Sequence, residues 1–206
     1  MKNKTLDARG LAVLGLMTAF LMIFSFTPIG TIPIGPLSIT LNIIPIAIAA
    51  IALGPVGGLA MGSVFGLLSF LQCFGVGVPS GMGAVLFSIN PVLAFLQRFV
   101  PRALDGFLVG WVFHFCSKRF GKFPACFVTG FCSAFLNTLL FMTALVLLFG
   151  GTDYIQGLIN GRNVLVFICA FVGINAVVEM IVSTLITGLV GSALFHAKIL
   201  PLDRGN

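Results

Sequence analysis

A chain of 206 residues of which 59% are hydrophobic and only 8% charged has too few charges for a water-facing surface, where a soluble domain carries about 25%. Its mean hydropathy of +1.17 comes from long apolar blocks that do not alternate, which excludes a soluble domain and a transmembrane barrel and leaves membrane-spanning helices. The net charge of +6 lies mainly at the termini and in short connections, as topology signals do, and points to no nucleic acid.

The first block, Leu11–Thr27, follows Lys2, Lys4 and Arg9 and lacks the small-residue exit of a cleavable signal, so a first span is expected over 10–27. Ala8, Ala12, Gly15 and Ala19 recur at spacings of four, three and four. They put small residues on one helix face, suited either to internal packing or to docking a partner helix. The next two spans, 37–53 and 55–73, are separated only by Gly54-Pro55. Glycine ends helices and proline begins them, so this is expected to be a tight inner hairpin. Pro45 makes the second span short and kinked. Gly54, Gly58, Gly62 and Gly66 fall at every fourth position, a stripe for close packing within the bundle.

Segment 74–100 is expected to be an elaborated outer loop, because its apolar block 84–97 is broken by Asn90-Pro91, and proline disfavours helix in the residue before it. Further spans are expected over 101–118, 124–149 and 163–195, the last long enough to tilt or project beyond the bilayer. The result is an all-α, six-transmembrane-helix bundle forming one domain, 1–206. With both termini cytoplasmic, eight basic residues (Lys2, Lys4, Arg9, Lys118, Arg119, Lys122, Lys198 and Arg204) lie inside and three (Arg98, Arg102 and Arg162) outside. Counting 84–97 as a seventh span makes the split six to five, so the positive-inside rule selects six.

Polar side chains within the spans are few, and ionisable ones at depth usually face a cavity or one another. Glu179 is the carboxylate farthest from a span end, with Asn175 one turn before it and Ser183 one turn after, all on one helix face. Asn137 lies 13 residues into the fifth span, about 20 Å along it. Asn42 begins the second span and Gln72 ends the third, while Arg98 and Arg102 stand where the outer segment meets the fourth. These groups gather toward the outer half of the bundle, as an outward-facing solute pocket requires. Each also has a plainer role open to it. The amides can bond neighbouring helices, Arg102 can pair with Asp105 three residues on, and Glu179 can act as protonated structural glue. Tyr154 and Trp111 are lesser pocket candidates. His114 and His196 read as interfacial residues. The five cysteines, Cys73, Cys116, Cys126, Cys132 and Cys169, form no CxxC pair and read as small buried hydrophobes.

No GxxxxGK[ST] loop, metal-ligand spacing or Ser/His/Asp set occurs, so neither nucleotide hydrolysis nor a cofactor or metal is expected of this chain. An ion-coupled transporter would show inverted repeats, and an intramembrane enzyme needs a second reactive group near Glu179; neither is evident.

Several stretches, LAVLGLMTA at 11–19, ITLNIIPIAIAAIALGPVGGLAMGSVFGLLS at 39–69, VPRALDGFLVGW at 100–111, FLNTLLFM at 135–142 and GINAVVEM at 173–180, resemble the S components of energy-coupling factor (ECF) vitamin transporters. The resemblance implies a subunit of a prokaryotic plasma membrane that binds a water-soluble vitamin or precursor from outside. Loops after the first and third helices would cap the pocket. The first-helix face, here Ala12, Gly15 and Ala19, would dock on a transmembrane coupling protein driven by two ATPase subunits. Pro101-Arg102 and Asn137-Thr138 are most similar to the pantothenate-specific members. That likeness implies a cation from Arg98 or Arg102 for the carboxylate, with Asn42, Gln72, Asn137, Asn175 and Glu179 among the remaining substrate contacts. An ionised Glu179 would repel an anion, which keeps hydroxymethylpyrimidine or pyridoxine, and less so riboflavin or folate, as alternative ligands.

Overall fold

A computed structural model describes residues 8–28, 30–34, 37–161 and 164–200. Its elements in chain order are α1 (Ala8–Phe26), β1 (Thr31–Ile34), β2 (Leu37–Thr40), α2 (Ile43–Leu71), α3 (Gly81–Ile89), α4 (Pro91–Phe120), α5 (Lys122–Phe149), α6 (Asp153–Ile159) and α7 (Val164–His196). A 3-10 turn at Gln72–Phe74 follows α2. Three described stretches are long and apolar enough to cross a membrane: Ile43–Phe74, Lys122–Phe149 and Asn175–His196. The protein is a helical membrane protein.

The first of these stretches doubles back on itself. Gly54 takes φ 75° and ψ −163° inside α2, a conformation that side chains with a Cβ resist, and Pro55 starts the next limb with its ring where no helical donor is needed. A Cβ on Gly58 would lie 3.0 Å from the Cβ of Ala50, whereas eight residues of unbroken helix span about 12 Å. Limbs 43–53 and 55–71 therefore lie side by side, as the Gly-Pro pair predicts. Their far ends meet at Ser25 of α1: its Oγ donates to Asn42 Oδ1 at 3.4 Å, and its carbonyl accepts from Gln72 Nε2 at 3.4 Å.

The glycine stripe is an internal packing surface. Cβ atoms added at Gly58 and Gly62 would overlap the carbonyl oxygens of Gly106 and Arg102, and one at Gly66 would come within 2.9 Å of Phe99 Cα. Helix α4 thus runs antiparallel to the second limb at backbone contact, with Gly110 opposite Pro55 at the start of that limb. Helix α5 packs against α4 and α7, and α7 meets α5 closely where Gly130 faces the Ser183 carbonyl, at 2.5 Å from a would-be Cβ. Met17 and Leu21 of α1 join Ile43, Ile46, Met61 and Phe65 in one apolar core, and Thr18 Oγ1 sits 3.4 Å from Met61 Sδ. A second core gathers Met82, Leu86, Met142, Leu145, Phe149 and Ile155. Cys73, Cys116, Cys126 and Cys132 are free thiols within or between these helices; the side chain of Cys169 lies outside the described residues.

Several boundaries differ from the sequence reading. Residues 37–40, expected to begin the second span, instead pair with 31–34 in an antiparallel ribbon in which Thr31 faces Thr40 and Ile34 faces Leu37. The β-branched run Thr-Ile-Pro-Ile and its partner Leu-Ser-Ile-Thr suit extended backbone. The fourth helix begins at Pro91, not 101. Asn90 closes α3 and caps α4, its Oδ1 accepting from Val92 and Leu93 N–H at 3.1 Å, while Pro91 and Pro101 are accommodated, the former at the helix start. Arg98 and Arg102, counted as flanking loop charges, are consequently buried inside α4. The last connection, expected as a loop, contains α6, capped by Thr152. The termini at 1–7 and 201–206 and Arg162 lie outside the described residues.

Gly62→Leu should collapse the α2–α4 contact and destabilise the protein by more than the roughly 1–3 kcal/mol typical of overpacking, read as a lower melting temperature in detergent. The same change at Gly15, where nothing lies within 4 Å of an added Cβ, should leave the melting temperature near that of the unaltered protein.

Candidate functional site

A cavity of about 100 Å³ lies between α2, α4, α5 and α7, closed also by the end of β2, the loop after α2 and the start of α3. A single water needs roughly 10–15 Å³ on the same measure, so the space suits a small solute. Asn42, Gln72, Arg98, Arg102, Asn137, Asn175 and Glu179 all line it. Helices α4, α5 and α7 supply five of the seven, with Asn42 at the N-cap of α2 and Gln72 in the turn after it, and together they span 138 positions of sequence (42 to 179, counted inclusively). Thr40, Phe65, Val78, Pro79, Ser80, Met82, Thr138, Phe141, Met142 and Ala176 complete the wall.

Each arginine is held by groups from elsewhere in the bundle. Arg98 donates from Nη2 to Ser80 Oγ at 2.9 Å and from Nη1 to Ser69 Oγ at 3.4 Å. Ser80 caps α3, its Oγ also accepting from Gly83 N–H at 3.2 Å, and Gly83 is small because a Cβ there would come within 2.7 Å of Arg98 Nη2. Arg102 donates from Nη1 to the Arg98 carbonyl at 3.1 Å. Its guanidinium lies 4.7 Å from the Phe65 ring centroid and 4.9 Å from that of Phe141, which Arg98 also faces at 5.4 Å. Aromatic faces partly offset the loss of water around a buried cation. Yet Nε of each arginine has no hydrogen-bond partner. Two guanidinium groups, each 6% exposed or less, side by side in a dry wall repel each other and attract an anion.

Glu179 is engaged elsewhere. Its Oε1 accepts from Thr40 N–H at 2.6 Å, tying the base of the β1–β2 ribbon to α7 across the cavity. The loop after α2 is strapped over the same region: Val78 N–H donates to the Ser25 carbonyl at 3.2 Å and Ser80 N–H to the Gln72 carbonyl at 3.2 Å. Asp105, expected as a possible partner of Arg102, is fully buried with both oxygens unpartnered. Tyr154 packs in the second core and Trp111 is an exposed residue stacked on Phe115; neither lines the cavity.

Sequence reasoning missed Ser80, Phe65 and Phe141. Ser80 carried a legible cap pattern before α3, but the aromatic pair is indistinguishable from lipid-facing phenylalanine until the helices are assembled. The face carrying Ala12, Gly15 and Ala19 lies open on α1; the side chain of Ala8 lies outside the described residues.

The model of the substrate-specific component of ECF transporters matches residues 9–191. The chain belongs to that family. It is thus a substrate-binding component of a transport system. Among curated proteins it is 28% identical to the pantothenic acid transporter PanT of Lactococcus lactis subsp. cremoris, covering 96% of this chain and 97% of that protein. It is likewise 28% identical to the pantothenate transporter PanT of Leuconostoc mesenteroides subsp. mesenteroides, over 82% of this chain and 80% of that one.

Glu179→Ala should free the Thr40 amide and raise its hydrogen-exchange rate roughly ten-fold, the order set by loss of a bond worth about 1–1.5 kcal/mol. Glu179→Gln, which keeps an acceptor, should leave exchange near its original rate; equal exchange in both variants would remove the clamp.

Proposed function

We propose that this S component captures pantothenate from outside the cell, with Arg98 and Arg102 receiving its carboxylate. The observation that carries this is the pair of buried guanidinium groups in a cavity walled otherwise by amides, hydroxyls, apolar groups and the single carboxylate of Glu179. Pantothenate is an anion at one end and carries an amide and hydroxyls beyond it. Asn42, Gln72, Asn137, Thr138 and Asn175 supply donors and acceptors suited to those groups, and Met82, Met142 and Ala176 suit its hydrocarbon. The names of the two PanT relatives support the same ligand. Glu179 leaves the wall with two guanidinium groups against one carboxylate, so the net field in the cavity still favours an anion. A cationic wall favours an anion over hydroxymethylpyrimidine- or pyridoxine-type vitamins.

In this reading the membrane is crossed six times, by α1, the two limbs of α2, α4, α5 and α7. Lys118, Arg119, Lys122 and Lys198 stand at helix ends 15 or more residues from the nearest cavity residue of their own helix, about 22 Å or more along it. The positive-inside rule then turns that end, and both termini, to the cytoplasm and the cavity outward. The open face of Ala12, Gly15 and Ala19 is the docking surface for a transmembrane coupling protein carrying two ATPase subunits, since small residues permit close helix approach.

Isothermal titration of the purified chain, without nucleotide, should give stoichiometric pantothenate binding; a vitamin panel with no binder would overturn the assignment. Arg102→Ala should weaken pantothenate by about 1.5–3 kcal/mol, the range for hydrogen bonds to charged groups. Gly15→Leu should leave that affinity intact while abolishing uptake into vesicles bearing the full transporter, and surviving uptake would remove the docking role.

A further inference from the structure

Asp105 lies one turn beyond Arg102 on α4, is fully buried, and has no hydrogen bond to either carboxylate oxygen. It does not line the cavity. The neighbouring Gly106 is pressed against the Gly58 backbone. A buried carboxyl without partners is costly, and Arg102, three residues away, has its own unpartnered Nε. Residues at this spacing on a helix have Cβ atoms about 5–6 Å apart and can pair. Long helical side chains lean toward the N-terminus, and Arg102 here leans that way, with Nη1 on the Arg98 carbonyl and its guanidinium against Phe65 and Phe141. That pose commits the fork to the cavity and strands three polar atoms: Arg102 Nε and both Asp105 oxygens. Turning the fork back onto Asp105 satisfies all three and withdraws the cation from the cavity.

We propose that Asp105 is a positioning residue, the internal counter-charge that competes with the ligand's carboxylate for Arg102 and so sets how strongly the site prefers an acid over its uncharged analogue. This rests on the pantothenate reading above. Glu179 differs in lining the cavity itself, with Oε1 on the Thr40 amide, whereas Asp105 lies behind the wall with no partner. In the structure the fork already faces the cavity; the alternative pose on Asp105 competes with a bound anion for it, whereas a ligand without an anion makes no claim on the fork. Acid binding is therefore held below its limit by Asp105, and binding of an uncharged analogue is not.

The test compares pantothenate with its alcohol analogue, in which the carboxylate is replaced by a hydroxymethyl group, by titration calorimetry on the purified full chain. Asp105→Asn should bind the acid roughly ten-fold more tightly, the order expected on removing one buried charge near the site, with the alcohol unchanged within about two-fold. Asp105→Glu, which retains the charge, should keep the acid-to-alcohol ratio of the unaltered protein. A purely structural role would shift both ligands together in Asp105→Asn, and that result, or an unchanged ratio, would overturn the proposal. Should the Asn variant fail to fold, Asp105→Ser carries the same expectation. If instead the unaltered protein binds neither ligand, or Arg102→Ala leaves acid binding unchanged, the pantothenate site itself is wrong, whatever Asp105 does.

Discussion

Backbone contact between α4 and the second limb of α2, made through Gly58, Gly62 and Gly106, sets the position of everything polar in this bundle. In a bilayer no hydrophobic effect drives helices together, so association depends on dispersion between surfaces that approach closely and on the few polar contacts between them. A glycine row gives α4 that approach along about two turns. Because the carbonyl of Arg102 itself touches Gly62, the arginine has little freedom to rotate toward lipid. The packing surface and the cationic wall are two faces of one helix, and the first holds the second in place.

The cost of burying two guanidinium groups is met piecemeal. Serine hydroxyls from α2 and the α3 cap accept from Arg98, a backbone carbonyl accepts from Arg102, and two phenylalanine faces supply quadrupole attraction. Among the described residues Glu179 is the one carboxylate that lines the cavity, which leaves two cations against one anion. That imbalance is what gives an otherwise hydrocarbon-filled bundle a preference for an anion, and stored electrostatic strain at a binding site is a common price of function.

Much of the architecture was legible because membrane helices announce themselves by composition and length. The Gly54-Pro55 turn, the glycine stripe and the convergence of Asn137, Asn175 and the arginines followed from spacing alone. The ribbon at 31–40 did not, because its apolar residues extend the hydrophobic block of α2 without a break in composition; only cross-strand pairing distinguishes it. Nor did the start of α4, where Asn90-Pro91 has the chemistry of both a helix stop and a helix start. The structure uses it as both, ending α3 and beginning α4 on one capping asparagine.

The sequence by itself determined that this is a helical membrane protein, where its chain reverses most tightly, and which scarce polar side chains were available for a site. These depend on local residue type and on the bilayer as solvent, which act on each segment independently. Tertiary structure alone decided that the arginines are wall rather than rim, that Phe65 and Phe141 face them, that Glu179 holds a backbone amide and that Asp105 is sealed behind Arg102. Those outcomes depend on the rotation of each helix about its axis, which is fixed only when neighbouring backbones come into contact.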